Sequence, residues 1–287
     1  MTIQSERWCD LHCHTTCSDG SDTPRELVAR AREAGLAAVA VTDHDTVEGL
    51  AQATAAGGEL GVEVVEGVEL SVLHPPGNLH ILGYLGRWDQ PGFQAILRRV
   101  QEARSNRNPR MVERLRELGV DISMDELREM AEGGQIGRPH FARLLVAKGV
   151  VSSVHEAFDR YLKKGAPAYI PKSVLRPEEA MEGIVSCGGV PVLAHPFSLG
   201  HRDLEELEGW VEEWREMGLQ GVECYYSEHD PAFTRWLIGL ARRLGLAVTG
   251  GSDYHGRAKP HIALGRGRGD LRIPYSCVEE IRRLCRQ

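Results

Sequence analysis

The placement of histidines and carboxylates constrains this chain more than any other feature. Short apolar runs recur along it, and most of them end in a side chain able to bind metal. Asp10, His12 and His14 end the first run (7–14), Asp43 and His44 the second (36–44), and Glu69 the third (62–70). His80 lies within the fourth (78–84), His195 near the end of the fifth (190–196), and Asp253 and His255 at the end of the last (246–255). A further run spans 221–226. Between the runs lie helix signals: Thr23-Pro24 with Glu26 reads as a capping box with proline in the first turn, closed by Gly35, and Asp230-Pro231 opens another helix. Such alternation predicts parallel strands wrapped by helices, as a barrel or a doubly wound sheet. In a parallel barrel the C-terminal strand ends share one mouth. Six of the 12 histidines would then meet several carboxylates in one small volume. Burying that many imidazoles together is costly without a cation, so a metal cluster is expected.

Strand parity refines the expectation. Residues i and i+2 of a strand share a face, so Asp10, His12 and His14 point one way while Leu11 and Cys13 point toward the surrounding helices. Imidazole and carboxylate donors without thiolate suit Mn²⁺, Fe²⁺ or Zn²⁺ and do not choose between them; Mn²⁺ is carried forward as the expected ion. Asp10 and Asp43 are expected to orient ligand imidazoles. Seven cysteines are too few for a disulfide scaffold, no secretory signal or membrane-length apolar run is present, and a reducing cytoplasm is expected. A pI near 6.0 argues against stable DNA binding. No P-loop occurs, so a nucleotide would be substrate and not fuel. Ser252, Asp253 and His255 lie too close in sequence for the usual geometry of a hydrolase triad.

From 91 to 171 the character changes. Helix signals dominate: Asn108-Pro109 reads as a helix start with its stop at Gly119, and Ser123 with Glu126 and Ser153 with Glu156 read as capping boxes. This segment holds 14 basic against 10 acidic residues, whereas the remainder holds 20 against 31. A basic, all-helical insertion in an acidic α/β scaffold is read as a cap over the site. The expected division is therefore a first barrel part at 1–90, a cap at 91–171 and a second barrel part at 172–287.

The motifs DLHCHTTCSDG (10–20), TDHDTVEG (42–49), GVEL (67–70), HILGY (80–84), AHP (194–196) and GGSDYHG (250–256) resemble, in order, those of the PHP (polymerase and histidinol phosphatase) superfamily of metal-dependent phosphoesterases. GRPHFA at 137–142 resembles the signature of a subgroup with a helical insertion, which includes nucleoside 3′,5′-bisphosphate phosphatases and 5′→3′ exoribonucleases. The resemblance implies a distorted seven-stranded (β/α) TIM-like barrel with an inserted all-helical cap and two or three divalent metal ions. It implies that His12, His14, Glu69 and Asp253 hold one ion, that Glu69 bridges to a second held by His80 and His195, and that Asp19, His44 and His255 hold a third. Among these, Asp19, His44, Glu69, Asp253 and His255 are expected to be catalytic, with a hydroxide between two ions attacking phosphorus. Arg138 and His140 are candidates for gripping a second phosphate, with seven arginines at 98–116 extending that field toward an oligonucleotide. Lys172 and Arg257, near the junction with the mouth, and His201, just after AHP, are further substrate contacts to test. The expected substrate is a small phosphorylated nucleotide or short RNA. The alternatives are histidinol phosphate phosphatase and a non-catalytic metal-binding scaffold. The oligomeric state stays open.

Overall fold

The computed structural model describes residues 7–74, 76–131, 134–171 and 175–285. Seven strands form one sheet whose spatial order follows the chain. They are β1 (Cys9–Asp10), β2 (Ala38–Val41), β3 (Glu63–Val72), β4 (Leu79–Tyr84), β5 (Val190–Leu193), β6 (Gly221–Tyr226) and β7 (Ala247–Gly251). The helices wrapped around them are α1 (Pro24–Glu33), α2 (Leu50–Leu60), α7 (Pro177–Ser186), α8 (Leu204–Glu216), α9 (Pro231–Leu244) and α10 (Ser276–Cys285). Beyond β1, Leu11 N donates to Gly250 O (3.1 Å) and His14 N to Tyr254 O (2.9 Å), so the sheet curls into a nearly closed, distorted barrel. Gly251 permits this approach, because a Cβ there would collide with the Cβ of His12.

One strand corrects the all-parallel expectation. β4 is antiparallel to both β3 and β5, while the other neighbours pair in parallel. Only residues 73–78 join β3 to β4, and a parallel crossover needs a dozen residues or more. The reversal serves the site. The beginning of β4, with His80 as its second residue, lies at the mouth where the parallel strands end.

The helix signals locate most elements. Thr23 caps α1 in a full capping box, and Asp230 accepts from Ala232 N and Phe233 N at the start of α9. The helical region between β4 and β5 contains α3 (Pro91–Glu117), α4 (Met124–Met130), α5 (Arg138–Ala147) and α6 (Val154–Ala157). Ser123 makes the expected box, whereas Glu156 returns its bond to Ser152 N (2.8 Å) and not to Ser153. The expected helix start at Asn108-Pro109 is also corrected, since α3 runs unbroken through Pro109. Proline removes one helical N–H there. The neighbouring Asn108 side chain donates to Ile136 O (2.9 Å) and accepts from Arg107 Nη2 (2.9 Å), binding this turn into the cap.

Two apolar clusters result. Phe93, Leu97 and Val100 on the first half of α3 pack into the barrel core, while Met111, Val112 and Leu115 on its second half pack into a separate core with Phe141 and Leu145 of α5. The helix is thus a beam shared by barrel and cap. Arg104, midway along it, pairs with the buried Asp45 carboxylate, which also accepts from Ser71 N (2.8 Å) and Ser71 Oγ (2.9 Å). Gln101 and Gln135 donate to Asp45 O (2.9 and 3.2 Å). Among the described residues no helix is long and apolar enough to cross a membrane.

Candidate metal centre

Nine side chains from six of the barrel's strand ends and following loops converge at the mouth. Their ligating atoms form four overlapping groups: His14, Asp19, His44 and His255; His12, Glu69 and His195; His12, His14 and Asp253; and His44, Glu69 and His80. Glu69 lies at the middle. Its Oε1 is 2.7 Å from His80 Nδ1 and 3.0 Å from His195 Nε2, and its Oε2 is 2.7 Å from His44 Nδ1 and 3.3 Å from His14 Nε2. Asp253 Oδ1 faces His14 Nε2 (3.4 Å) and His255 Nδ1 (3.3 Å), while Asp19 Oδ1 faces His255 Nε2 (3.2 Å). His195 and Asp253 hold positive φ (27° and 59°), a backbone region that costs non-glycine residues roughly 1–3 kcal/mol and clusters at functional sites.

The donor set fits divalent cations. Among the described residues, His12 Nε2, His14 Nε2, Asp19 Oδ1, His44 Nδ1 and Glu69 Oε2 are buried with no hydrogen-bond partner, an expensive arrangement unless an ion takes them. The imidazoles are oriented to present these atoms. His12 Nδ1 faces Glu223 Oε1 (3.0 Å), so it carries the proton and leaves Nε2 free to bind. Ser198 Oγ donates to Asn78 O (2.8 Å) and therefore accepts from His195 Nδ1 (2.7 Å), again freeing Nε2. Ser18 repeats the arrangement: its hydroxyl donates to Asp43 and stands 3.4 Å from His14 Nδ1.

The electrostatics match an acidic cluster held ionised. Burial pushes the Glu69 carboxyl up, but His44, His80 and His12 outweigh it and hold the group well below its usual range. Asp19 and Asp253 behave alike, the first opposite His255 and His44, the second opposite Lys259 and His255. Burial, helped by the neighbouring His195 and His44 and only partly offset by Glu69, lowers His80 to about 4, keeping it neutral and able to ligate.

Several partners were hidden in the sequence. Glu223 on β6, fully buried, holds both His12 and the backbone N–H of His195 (2.7 Å). Its signal is the repetition of Gly67-Val68-Glu69 as Gly221-Val222-Glu223. Lys259 Nζ (2.6 Å) and Tyr226 OH (2.9 Å) both reach Asp253 Oδ2. The role expected of Asp10 is corrected. Its carboxylate accepts from Ser252 N and Oγ, Gly265 N and His12 N, and so pins β1 to β7 without touching an imidazole. Asp43 reaches His14 only through Ser18.

A cavity of about 350 Å³ opens above the cluster, lined by His44, His80, His195 and His255 below and by Arg104, Arg107 and Arg138 above. Of the seven arginines at 98–116, only Arg104 and Arg107 turn into it. Arg138 lies over the rings of Phe158 (5.9 Å) and Tyr169 (5.7 Å). His140 is buried at the start of α5, where its Nδ1 accepts from Gly137 N (3.0 Å), and it does not line the cavity. Arg257 is exposed and lines a different cavity beside Ser21. His201 stacks on Phe233 (5.9 Å) away from the lining. Lys172 lies outside the described residues.

Comparison with known proteins agrees with this architecture. The PHP-domain family model matches residues 10–220. The chain is 34% identical over 261 residues to the 5′-3′ exoribonuclease Rnm of Escherichia coli, covering 90% of this chain and 88% of that protein. It is 34% identical over 249 residues to the 3′,5′-nucleoside bisphosphate phosphatase of Chromobacterium violaceum, covering 86% of each. A crystal structure of a Chromobacterium violaceum amidohydrolase, holding sulfate and no metal, superposes with a TM-score of 0.80 at 33% identity, over 86% of this chain and 87% of that one. Fold, motif order and donor chemistry lead to one conclusion: the chain belongs to the PHP-domain family and is a metal-dependent phosphoesterase.

Proposed function

We propose that this phosphoesterase acts on a substrate carrying two phosphates, removing one from a nucleoside 3′,5′-bisphosphate to give a nucleoside 5′-monophosphate, or trimming short RNA from its 5′ end. The arginine roof over the ion-binding floor carries the proposal. Arg104 and Arg107 are 7% and 6% exposed, yet they share one wall with Arg138. Arg104 has the Asp45 carboxylate, whereas Arg107 bonds the neutral amide of Asn108 and Arg138 the carbonyl of Leu162 (3.4 Å). Burial, then Arg104 and Arg138, lower the Arg107 guanidinium to about 9. A second phosphate would relieve that repulsion, and arginine's planar fork suits its oxygens. The relatives named for exoribonuclease and bisphosphate phosphatase activity point the same way.

In this proposal His12, His14, Glu69 and Asp253 hold one ion, Glu69 with His80 and His195 a second, and Asp19, His44 and His255 a third, with Mn²⁺ the expected metal. Divalent ions supply water of lowered pKa and neutralise phosphoryl oxygens. The chain's own residues do the positioning. Glu223, Ser198 and Ser18 fix the imidazoles, Tyr226 and Lys259 fix Asp253, and the roof arginines hold the phosphate that does not react. Lys259, with its ammonium at the cavity wall, also adds positive charge where the reacting phosphate enters.

The test is phosphate release from adenosine 3′,5′-bisphosphate beside histidinol phosphate, with Mn²⁺ added. Preference for the bisphosphate is expected, and Arg107→Ala should abolish it. Preference for histidinol phosphate would overturn the assignment of the roof.

A further inference from the structure

The cavity has an apolar edge that neither the ions nor the phosphates need. Among the described residues, six large hydrophobic side chains are more than a third exposed, and two of them line this single cavity. Phe197, 52% exposed, stands on the short 3₁₀ turn Pro196–Leu199 that follows β5 on the barrel side. Val154, 38% exposed, stands at the start of α6 on the cap side. Phe158, in the π-helical turn Phe158–Leu162, lines the same cavity, and the Arg138 guanidinium lies over its ring. Leaving Phe197 in water forgoes the burial that most phenylalanines obtain. Its ring leaves an apolar face open at the rim of the cavity, where a flat, apolar-faced ligand would cover it.

Taking the substrate to be a nucleotide as proposed above, we infer that Phe197 is the stacking platform for its nucleobase, with Val154 and Phe158 closing from the cap. Charge and apolar surface are then divided within one cavity: arginines for the phosphate that stays, imidazoles and carboxylates for the ions at the phosphate that leaves, and a lip for the base. A phenyl ring reads the face of a base and not its hydrogen-bonding edge, so the lip accepts purines and pyrimidines alike. It also sets a requirement that a simple sugar bisphosphate does not meet.

The experiment compares adenosine 3′,5′-bisphosphate with base-less ribose 3,5-bisphosphate on the Mn²⁺-loaded protein, for the native chain and for Phe197→Ala and Phe197→Trp. Loss of one base–aromatic stack is expected to raise KM for the nucleotide about tenfold in Phe197→Ala. The KM for the base-less sugar should move less than twofold, kcat for the nucleotide should stay within about twofold, and Phe197→Trp should restore the low KM. A parallel binding measurement uses the fluorescence of 2-aminopurine riboside 3′,5′-bisphosphate, which is quenched when the base stacks. Quenching by the native chain and its loss in Phe197→Ala would uphold the lip even if neither bisphosphate were hydrolysed, a result that would overturn the proposed reaction alone. Hydrolysis of the nucleotide without quenching, or an equal rise in KM for both substrates, would overturn the lip and leave the reaction standing.

Discussion

Glu223 shows how much of this site depends on side chains that touch no substrate. Its carboxylate accepts from His12 Nδ1 and from the backbone N–H of His195, so one residue sets a tautomer and a loop position together. Groups that orient a ligand imidazole in this way typically govern metal affinity by roughly 10–100-fold. Glu223→Gln should weaken Mn²⁺ binding by about that factor, measured by calorimetric titration, while the far-UV circular dichroism stays unchanged. Unaltered affinity would show that the burial of His12 alone fixes its ring. Arg107→Ala is a different kind of change. Losing a charge-assisted contact to phosphate costs about 1.5–3 kcal/mol, so KM for the bisphosphate should rise roughly 10–150-fold with metal affinity untouched. Seven of the nine candidate ligands were legible because they end strand-like runs, whereas His80 lies near the start of its run and Asp19 was indicated by the motif resemblance alone. Glu223 was not singled out because its only signal, the repeat of Gly67-Val68-Glu69, does not say which imidazole it faces, and Lys259 lies in a loop with no periodicity to place it.

At the scale of elements, the barrel was readable wherever hydrophobic period and capping residues agreed. It was misread where connection length decided the outcome. The run at 78–84 resembles its parallel neighbours in composition, and only the short link before it dictates reversal. Likewise Asn108-Pro109 has the look of a helix start, but the packing of α3 against two cores carries the helix across it. That makes the middle of α3 the joint between the halves, and the Arg104–Asp45 pair its bolt. Both partners are buried, and breaking such a pair from one side leaves an uncompensated charge, at a cost of about 3–5 kcal/mol. Asp45→Ala should lower the urea midpoint accordingly. A loss below about 1 kcal/mol would mean that the glutamines bonded to the Asp45 carbonyl hold the joint without it. At the start of α5, His140→Ala removes the cap for the Gly137 N–H but no buried charge, and loss of that bond should cost about 0.5–2 kcal/mol, with the emptied ring volume adding to it.

Considered whole, the molecule is an acidic barrel under a basic cap. Residues 91–171 carry 14 basic and 10 acidic side chains, and the rest carry 20 and 31. We propose those bounds as the cap, although α3 belongs to both cores. Asp19, Glu69, Asp253 and Glu223 are all buried at the mouth, where little solvent is left to screen their charge. Two or three divalent ions would offset much of that charge and link strand ends from all round the barrel. Bound ions stabilise the folded state by mass action, about 2.7 kcal/mol for one site at a hundredfold excess over its dissociation constant. A domain of this size gains roughly 2–4 °C in Tm per kcal/mol. Chelation should therefore lower Tm by about 5–10 °C for each ion removed in differential scanning calorimetry, and Mn²⁺ should restore it. Because α3 runs unbroken from one core to the other, cap and barrel should melt in a single transition both with and without metal. A separate low-temperature transition in the chelated protein would instead show that the ions, and not the beam, couple the cap to the barrel. In that case Asp45→Ala would leave the single transition of the loaded protein intact.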